Sequence, residues 1–280
     1  MTTRVHVEPI LTRSTEPKRR RGVLIINPYS SGMTAARERT IVRALREHLD
    51  VEVRRTERPG HATRMATALT DRAEHDVVIA CGGDGTANEV LNGLALGNDT
   101  AHERPDFAII PAGGTNVLAR SLGHPNHPVK ALKVLIEAIV TGRTRTINLG
   151  TMDERIYTFS AGVGLDGELV KRMDARRSGR RSSDLAHLAQ IIGLYASSRF
   201  SFNDTMTVHV EGSTAPDLRA ALVLVGNTTP MTYVGQFGLH VMPEASLEGG
   251  LDFVAPRRAN ASFAIRNTMQ SLGVGRTNRR

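Results

Sequence analysis

The run Val77-Val78-Ile79-Ala80-Cys81-Gly82-Gly83-Asp84-Gly85-Thr86-Ala87-Asn88-Glu89-Val90 constrains this chain more than any other stretch. Its first residues suit a buried strand, and its three glycines allow a sharp turn and a close approach to a ligand. Thr86 is placed to cap a helix continued by Ala87, Val90, Leu91 and Leu94. Backbone N–H groups at such a turn would face an anion, and Asp84 among them could hold the metal that accompanies a nucleotide. An ordinary strand-to-helix turn is the alternative, because short motifs recur without function.

The neighbouring segments repeat the pattern. Gly22 to Ile26 reads as a strand entering the turn-rich Asn27-Pro28-Tyr29-Ser30-Ser31-Gly32, and Thr34 to Leu49 as a helix with Ile41, Val42, Leu45 and Leu49 on one stripe. Val51 to Arg55 is a strand followed by a helix through about Glu74. Phe107 to Pro111 runs into a second glycine turn, Ala112-Gly113-Gly114-Thr115-Asn116, then a short helix to Leu122 and a longer one from Pro128 to Thr141. Such alternation predicts a parallel sheet covered by helices, with ligands at the carboxyl ends of its strands. From about Arg143 strands dominate: Thr144 to Met152, Ile156 to Ala161, Thr205 to Glu211 and Ala220 to Gly226, with a helical pair near Asp166 to Met173 and Ser183 to Ala196. The expected organisation is a flexible basic arm (1–21), an α/β domain (22–142), a β-rich domain (143–256) and an uncertain tail (257–280). A substrate cleft is expected between the two domains.

A formal net charge of +8 implies attraction to something anionic, whether nucleic acid, lipid headgroups or nucleotides. Aromatic residues are only 4%, Trp is absent and no nucleic-acid-binding signature occurs, so no nucleic-acid partner is expected. The single cysteine, Cys81, excludes an internal disulfide framework and fits a reducing compartment. No apolar run of about 18 residues and no signal-peptide core is present, which fits a cytoplasmic protein. Lys171, Arg172, Arg176, Arg177, Arg180 and Arg181 form a dense cluster, readable as an anion contact or as a solvated loop. Gly162-Val163-Gly164-Leu165-Asp166-Gly167 formally fits a dinucleotide pattern, but it lies where the chain turns β-rich. His124 and His127 match no zinc spacing and read as a surface loop.

Taken in order, four segments resemble the diacylglycerol kinase catalytic-domain superfamily over about Gly22 to Val254. They are Asn27-Pro28 with Ser31-Gly32; Gly82 to Thr86 with Asn88-Glu89-Val90; Ile110-Pro111-Ala112-Gly113-Gly114-Thr115-Asn116 with Ala119-Arg120; and Ala161 to Asp166. The chain looks most similar to bacterial diacylglycerol kinases and YegS-like lipid kinases, with sphingosine and ceramide kinases as cousins. The GGDGT string also resembles NAD kinases, whereas Asn88-Glu89 and the second turn favour lipid kinases. The resemblance implies an α/β ATP-binding domain followed by a β-sandwich-like lipid-substrate domain, ATP and Mg²⁺ as cofactors, and transfer of the γ-phosphate to a hydroxyl of diacylglycerol or a related lipid. By it Asn27, Thr56, Gly82, Gly83, Gly85 and Thr86 line the nucleotide, and Gly114, Thr115 and Asn116 form a second wall. Asp84 is then the catalytic, Mg²⁺-holding residue. The basic cluster at 171–181 would dock the protein peripherally on an anionic inner membrane face, and a homodimer is left open.

Two departures accompany the match. Val117 stands where the family often carries an Asp. The late Asp-Gly-Glu motif, whose Glu serves bacterial members as general base, has no counterpart, since Asp166-Gly167-Glu168 belongs to a different motif. A non-catalytic or truncated nucleotide- or lipid-binding homologue, and an NAD kinase, therefore stay open as alternatives.

Overall fold

A computed structural model describes residues 19–95, 104–164 and 206–258. The arm through Lys18, the helical pair expected between Asp166 and Ala196, the basic cluster Lys171 to Arg181 and the tail beyond Arg258 lie outside the described residues.

Four parallel strands form the N-terminal sheet: β1 (Arg21–Ile26), β2 (Asp50–Arg55), β3 (Val77–Gly82) and β4 (Asp106–Pro111). Their order is β2-β1-β3-β4. Every residue of β3 is buried, as a continuous apolar run requires of a strand covered on both faces. Side chains alternate across the sheet, so Leu24, Ile26, Ile79 and Cys81 face one core while Val23, Ile25, Val78 and Ala80 face the other.

Helices α1 (Ala35–His48) and α5 (Pro128–Thr141) cover the first face, contributing Ile41, Leu45, Leu132 and Leu135. Thr34 Oγ1 caps α1 by accepting from Arg37 N at 3.2 Å, and Pro128 opens α5 where a missing N–H costs nothing. The second face carries α2 (His61–Thr67) and α3 (Asp84–Ala95), through Ala62, Ala66, Val90 and Leu94. Between β4 and α5 lies the short α4 (Val117–Ser121).

The β-rich part follows. A hairpin of β5 (Gly150–Met152) and β6 (Arg155–Tyr157) precedes β7 (Ser160–Gly164). Further on, β8 (Met206–Val208) pairs with β9 (Leu218–Ala220), and β11 (Thr232–Val234) with β12 (Phe237–Leu239). β10 (Leu222–Gly226) is the centre of an antiparallel sheet, flanked by β7 and by β13 (Asp252–Val254). The fold is thus parallel α/β followed by antiparallel β. Among the described residues no helix is long and apolar enough to cross a membrane.

Several expected boundaries shift. The helix expected to reach Glu74 ends at Thr67, because Leu69 is its last buried apolar position and Asp71 Oδ1 then draws Ala73 N into a turn at 2.6 Å. Residues 144–149 run outside any ladder, so the strand expected from Thr144 begins only at Gly150. Ile156 to Ala161 is divided between β6 and β7, and Thr205 to Glu211 contracts to β8. Gly162 and Gly164 pair with Leu224 and Leu222 of β10, an antiparallel setting unlike a dinucleotide-binding strand-to-helix turn.

The two parts meet through an apolar cluster in which Leu247 packs with Ala87, Leu91 and Leu118. Asn92 of α3 adds a directional contact. Its Nδ2 donates to Ile156 O at 3.0 Å, and its Oδ1 accepts from Ile156 N at 2.9 Å, so the amide stands in for a neighbouring strand at the edge of β6. Asn92→Ala leaves both backbone groups unpaired, and we expect it to cost about 1–3 kcal/mol. The check is a thermal unfolding midpoint several degrees below wild type.

Candidate active site

In a sheet ordered β2-β1-β3-β4 the chain leaves β1 toward one side and β3 toward the other, and a crevice opens between their carboxyl ends. The loop after β1 and the glycine turn after β3 both lie there. Asn27 N donates to Cys81 O at 2.9 Å, and Asn27 Nδ2 reaches Thr86 Oγ1 at 3.3 Å. Thr56 follows β2 at the same edge, its N–H on Ile26 O at 2.8 Å and its side chain buried.

The second turn closes over the first. Ala112 N donates to Gly82 O and Gly32 N to Ala112 O, each at 2.7 Å. Gly83 and Gly113 cross so closely that a Cβ on Gly113 would stand 2.6 Å from Gly83 Cα. A Cβ on Gly82 would collide with the Thr86 side chain. Gly85, by contrast, is exposed, and among the described residues nothing lies near the position a Cβ would take, which leaves an open approach over the start of α3.

Asn116 shapes the second turn. It adopts the left-handed conformation at φ 50°, which Asn tolerates better than most residues. Its Oδ1 accepts from Gly113 N at 2.9 Å, and its Nδ2 donates to Gly113 O at 2.8 Å and to Asn126 Oδ1 at 2.6 Å. It is buried, and so acts as a brace for the turn rather than as an exposed wall. Gly114 is exposed and Thr115 half-buried beside it.

Asp84 occupies a position that spacing alone does not reveal. It opens α3, two residues before the Thr86 cap expected from the sequence, while Thr86 is buried inside the helix. Its Oδ1 accepts from Leu118 N at 3.1 Å, so the carboxylate sits on the amino end of α4. Burial pushes its pKa above the ordinary carboxylate value, against the opposing pull of backbone N–H groups from Val117, Leu118 and Asn116.

Glu89 is a further missed contributor. Its two carboxylate oxygens accept from Gly60 N at 2.9 Å and Ala62 N at 3.1 Å, capping α2 from the neighbouring helix. No local signal announces this, because its partners are nearly thirty residues upstream. Arg120, at the far end of α4, lies 3.3 Å from the centroid of the Tyr233 ring and donates to Gly235 O at 3.0 Å. The β11–β12 hairpin is thereby fastened to α4, and α4 to the glycine turn.

Among the described residues no cluster of three or more His, Cys, Asp or Glu is assembled. The only cysteine of the chain, Cys81, is fully buried, and burial pushes its thiol up to about 12. A thiol-specific reagent is therefore expected to leave the native protein unmodified and to label one thiol per chain once it is unfolded. Labelling of the native form at a comparable rate would contradict the packing of β3.

The diacylglycerol kinase catalytic domain family matches residues 21–152. A diacylglycerol kinase of Bacillus subtilis (strain 168) is 28% identical over 265 residues, spanning 90% of this chain and 79% of that protein. A diacylglycerol kinase of Staphylococcus aureus (strain JH9) is 35% identical over 151 residues, which are 52% of this chain and only 44% of the relative. The crystal structure of a candidate diacylglycerol kinase from Bacillus anthracis str. Sterne superposes with a TM-score of 0.70 at 25% identity, covering 93% of this chain and 80% of that one. The sheet, its glycine turns and the short helix that follows them all fall within residues 21–152, the segment that matches the diacylglycerol kinase catalytic domain family.

Proposed function

We propose that this chain is an ATP-dependent lipid kinase that transfers the γ-phosphate to a hydroxyl of diacylglycerol or a related lipid. The observation that carries the reading is the meeting of two glycine turns at the crevice between β1 and β3, with Asp84 between them and open space over Gly85. A nucleoside triphosphate fits such a place. Phosphates take their hydrogen bonds from backbone N–H groups at a turn and helix start; the missing side chains at Gly82, Gly83 and Gly113 let the two turns pack together, and Gly85 leaves the start of α3 open to approach.

In the reaction a lipid oxygen forms a bond to the γ-phosphorus, the bond to the β,γ-bridging oxygen breaks, and ADP departs while the hydroxyl proton passes to solvent water. Little covalent chemistry is asked of the protein, so positioning and charge neutralisation dominate. Mg²⁺ supplies neutralisation of phosphate charge when bound. Asp84 is the residue that would hold it: Leu118 N takes up one oxygen, a carboxylate offers about four lone pairs, and Mg²⁺ commonly takes one or two carboxylates together with substrate phosphates. The basic residues Lys171 to Arg181 would contribute on the order of 1 kcal/mol each to docking on an anionic membrane surface.

A second reading, a binding homologue without turnover, draws support from the same residue, because an Asp84 carboxylate given wholly to capping α4 would leave nothing for phosphate chemistry. One assay separates them: transfer from labelled ATP to diacylglycerol, sphingosine, ceramide and NAD, with nucleotide affinity measured in parallel. Label in a lipid supports the kinase, label in NAD alone overturns the lipid reading, and tight ATP binding without any transfer establishes the second reading.

A further inference from the structure

A cavity of about 470 Å³ lies away from the glycine turns, between β4, α5 and the segment 143–149 that links the two parts of the chain. It flanks β4 along Asp106 to Ile109, the amino half of the strand, whereas the glycine turns begin beyond Pro111. It arises because residues 144–149 pass the edge of β4 without joining its ladder. Its volume falls within the roughly 300–1,000 Å³ range of small-molecule sites.

The walls are mainly aliphatic, with Leu91, Val134, Leu135, Ile139, Ile147 and Leu149 among them. Among the described residues, three arginines, Arg20, Arg143 and Arg145, share this lining with a single carboxylate, Asp106. Arg20 pairs with Asp106, which also accepts Arg72 at 3.0 Å, while Arg143 pairs with Glu137 at 2.7 Å and Arg145 with Glu248 at 3.3 Å. The last two pairs are solvent-exposed, and such pairs are weak, about 0–1 kcal/mol, so a ligand anion can compete for either guanidinium. His124 completes the lining. Its Nδ1 is buried and has no hydrogen-bond partner among the described residues.

We propose that this cavity is a second ligand site, taking a single-chain anionic amphiphile whose acyl chain lies along β4 and α5 and whose carboxylate or phosphate meets the arginines. The aliphatic walls and the arginines choose this class: a neutral lipid would leave the cations unused, and a small polar anion would leave the apolar walls wet. The site does not depend on the kinase reading, and its test needs no turnover.

The experiment is displacement of a dansylated fatty acid from the full chain by palmitate, lysophosphatidate or hexadecanol. Palmitate, lysophosphatidate or both are expected to displace the probe at one site per chain, at least about tenfold more tightly than hexadecanol, a difference of about 1.4 kcal/mol. The tighter of the two anions identifies the headgroup source. Ala138→Trp, which places an indole in the cavity, should weaken binding of all three by about tenfold or more. Arg143→Glu combined with Arg145→Glu should remove the preference for the anions and spare hexadecanol. Should Ala138→Trp not fold, slower amide exchange in α5 and residues 143–149 on adding the tighter anion to wild type takes its place. Absence of saturable displacement overturns the proposal. So does equal affinity for hexadecanol, undiminished binding by folded Ala138→Trp, or an exchange pattern that does not change there.

Discussion

Asp84→Asn is expected to lower phosphate transfer by about two to three orders of magnitude, as removal of an electrostatic stabiliser does, while the protein stays folded. The amide oxygen can still accept from Leu118 N, so the cap on α4 survives and the charge alone is lost. Activity within about tenfold of wild type would exclude an electrostatic role for this carboxylate. Stability should move the other way. Burial raises the folded-state pKa of Asp84, so its contribution to stability is fully present below the ordinary carboxylate value and is lost as pH rises through the raised pKa. The variant does not titrate there. Its stability relative to wild type should therefore grow from acid toward neutral pH, which denaturant melts at each pH will read.

Gly113→Ala is the second large effect. The added methyl would stand 2.6 Å from Gly83 Cα, which is backbone, and 2.9 Å from Asn116 Oδ1, a side-chain oxygen held in place by Gly113 N. Gly82 O is held by Ala112 N and Gly83 O by Ala87 N, so the first turn cannot retreat without breaking backbone hydrogen bonds. Overpacking of this kind costs about 1–3 kcal/mol, and the displaced turn should lose nucleotide affinity as well. Gly85→Ala supplies the contrast, since its Cβ would enter open space. That variant should melt with wild type yet bind ATP more weakly, if the space over Gly85 is where the phosphates sit. Titration calorimetry and thermal melts together separate damage to the turn from obstruction of the ligand. A Gly113→Ala protein equal to wild type in both would refute the tight crossing.

These two residues mark how far the sequence could be read. Strands such as Val77 to Gly82 announce themselves because a strand buried on both faces must be apolar throughout, and glycines announce turns because other residues do not fit them. The βα alternation then places those turns at one edge without further information. What the sequence could not disclose is side-chain traffic across long separations. Asp84 meets Leu118, Glu89 meets Gly60 and Asn92 meets Ile156 only after the sheet has ordered its strands, and nothing in local spacing encodes those pairs. A helix is expected through Glu74 because that polar run has acceptable helix propensity, yet the residues between Leu69 and Glu74 have no core to bury into.

The amide of Asn92 has a mechanical meaning beyond its stability. Helix α3, 12 residues long, starts at Asp84 and grips the edge of β6 about eight residues later, roughly 12 Å along its axis. A single stiff rod thus has one end under the glycine turn and its shaft bolted to the β-rich half. The hairpin β5–β6 cannot swing without torque on that rod, and the end that answers is the one carrying Asp84.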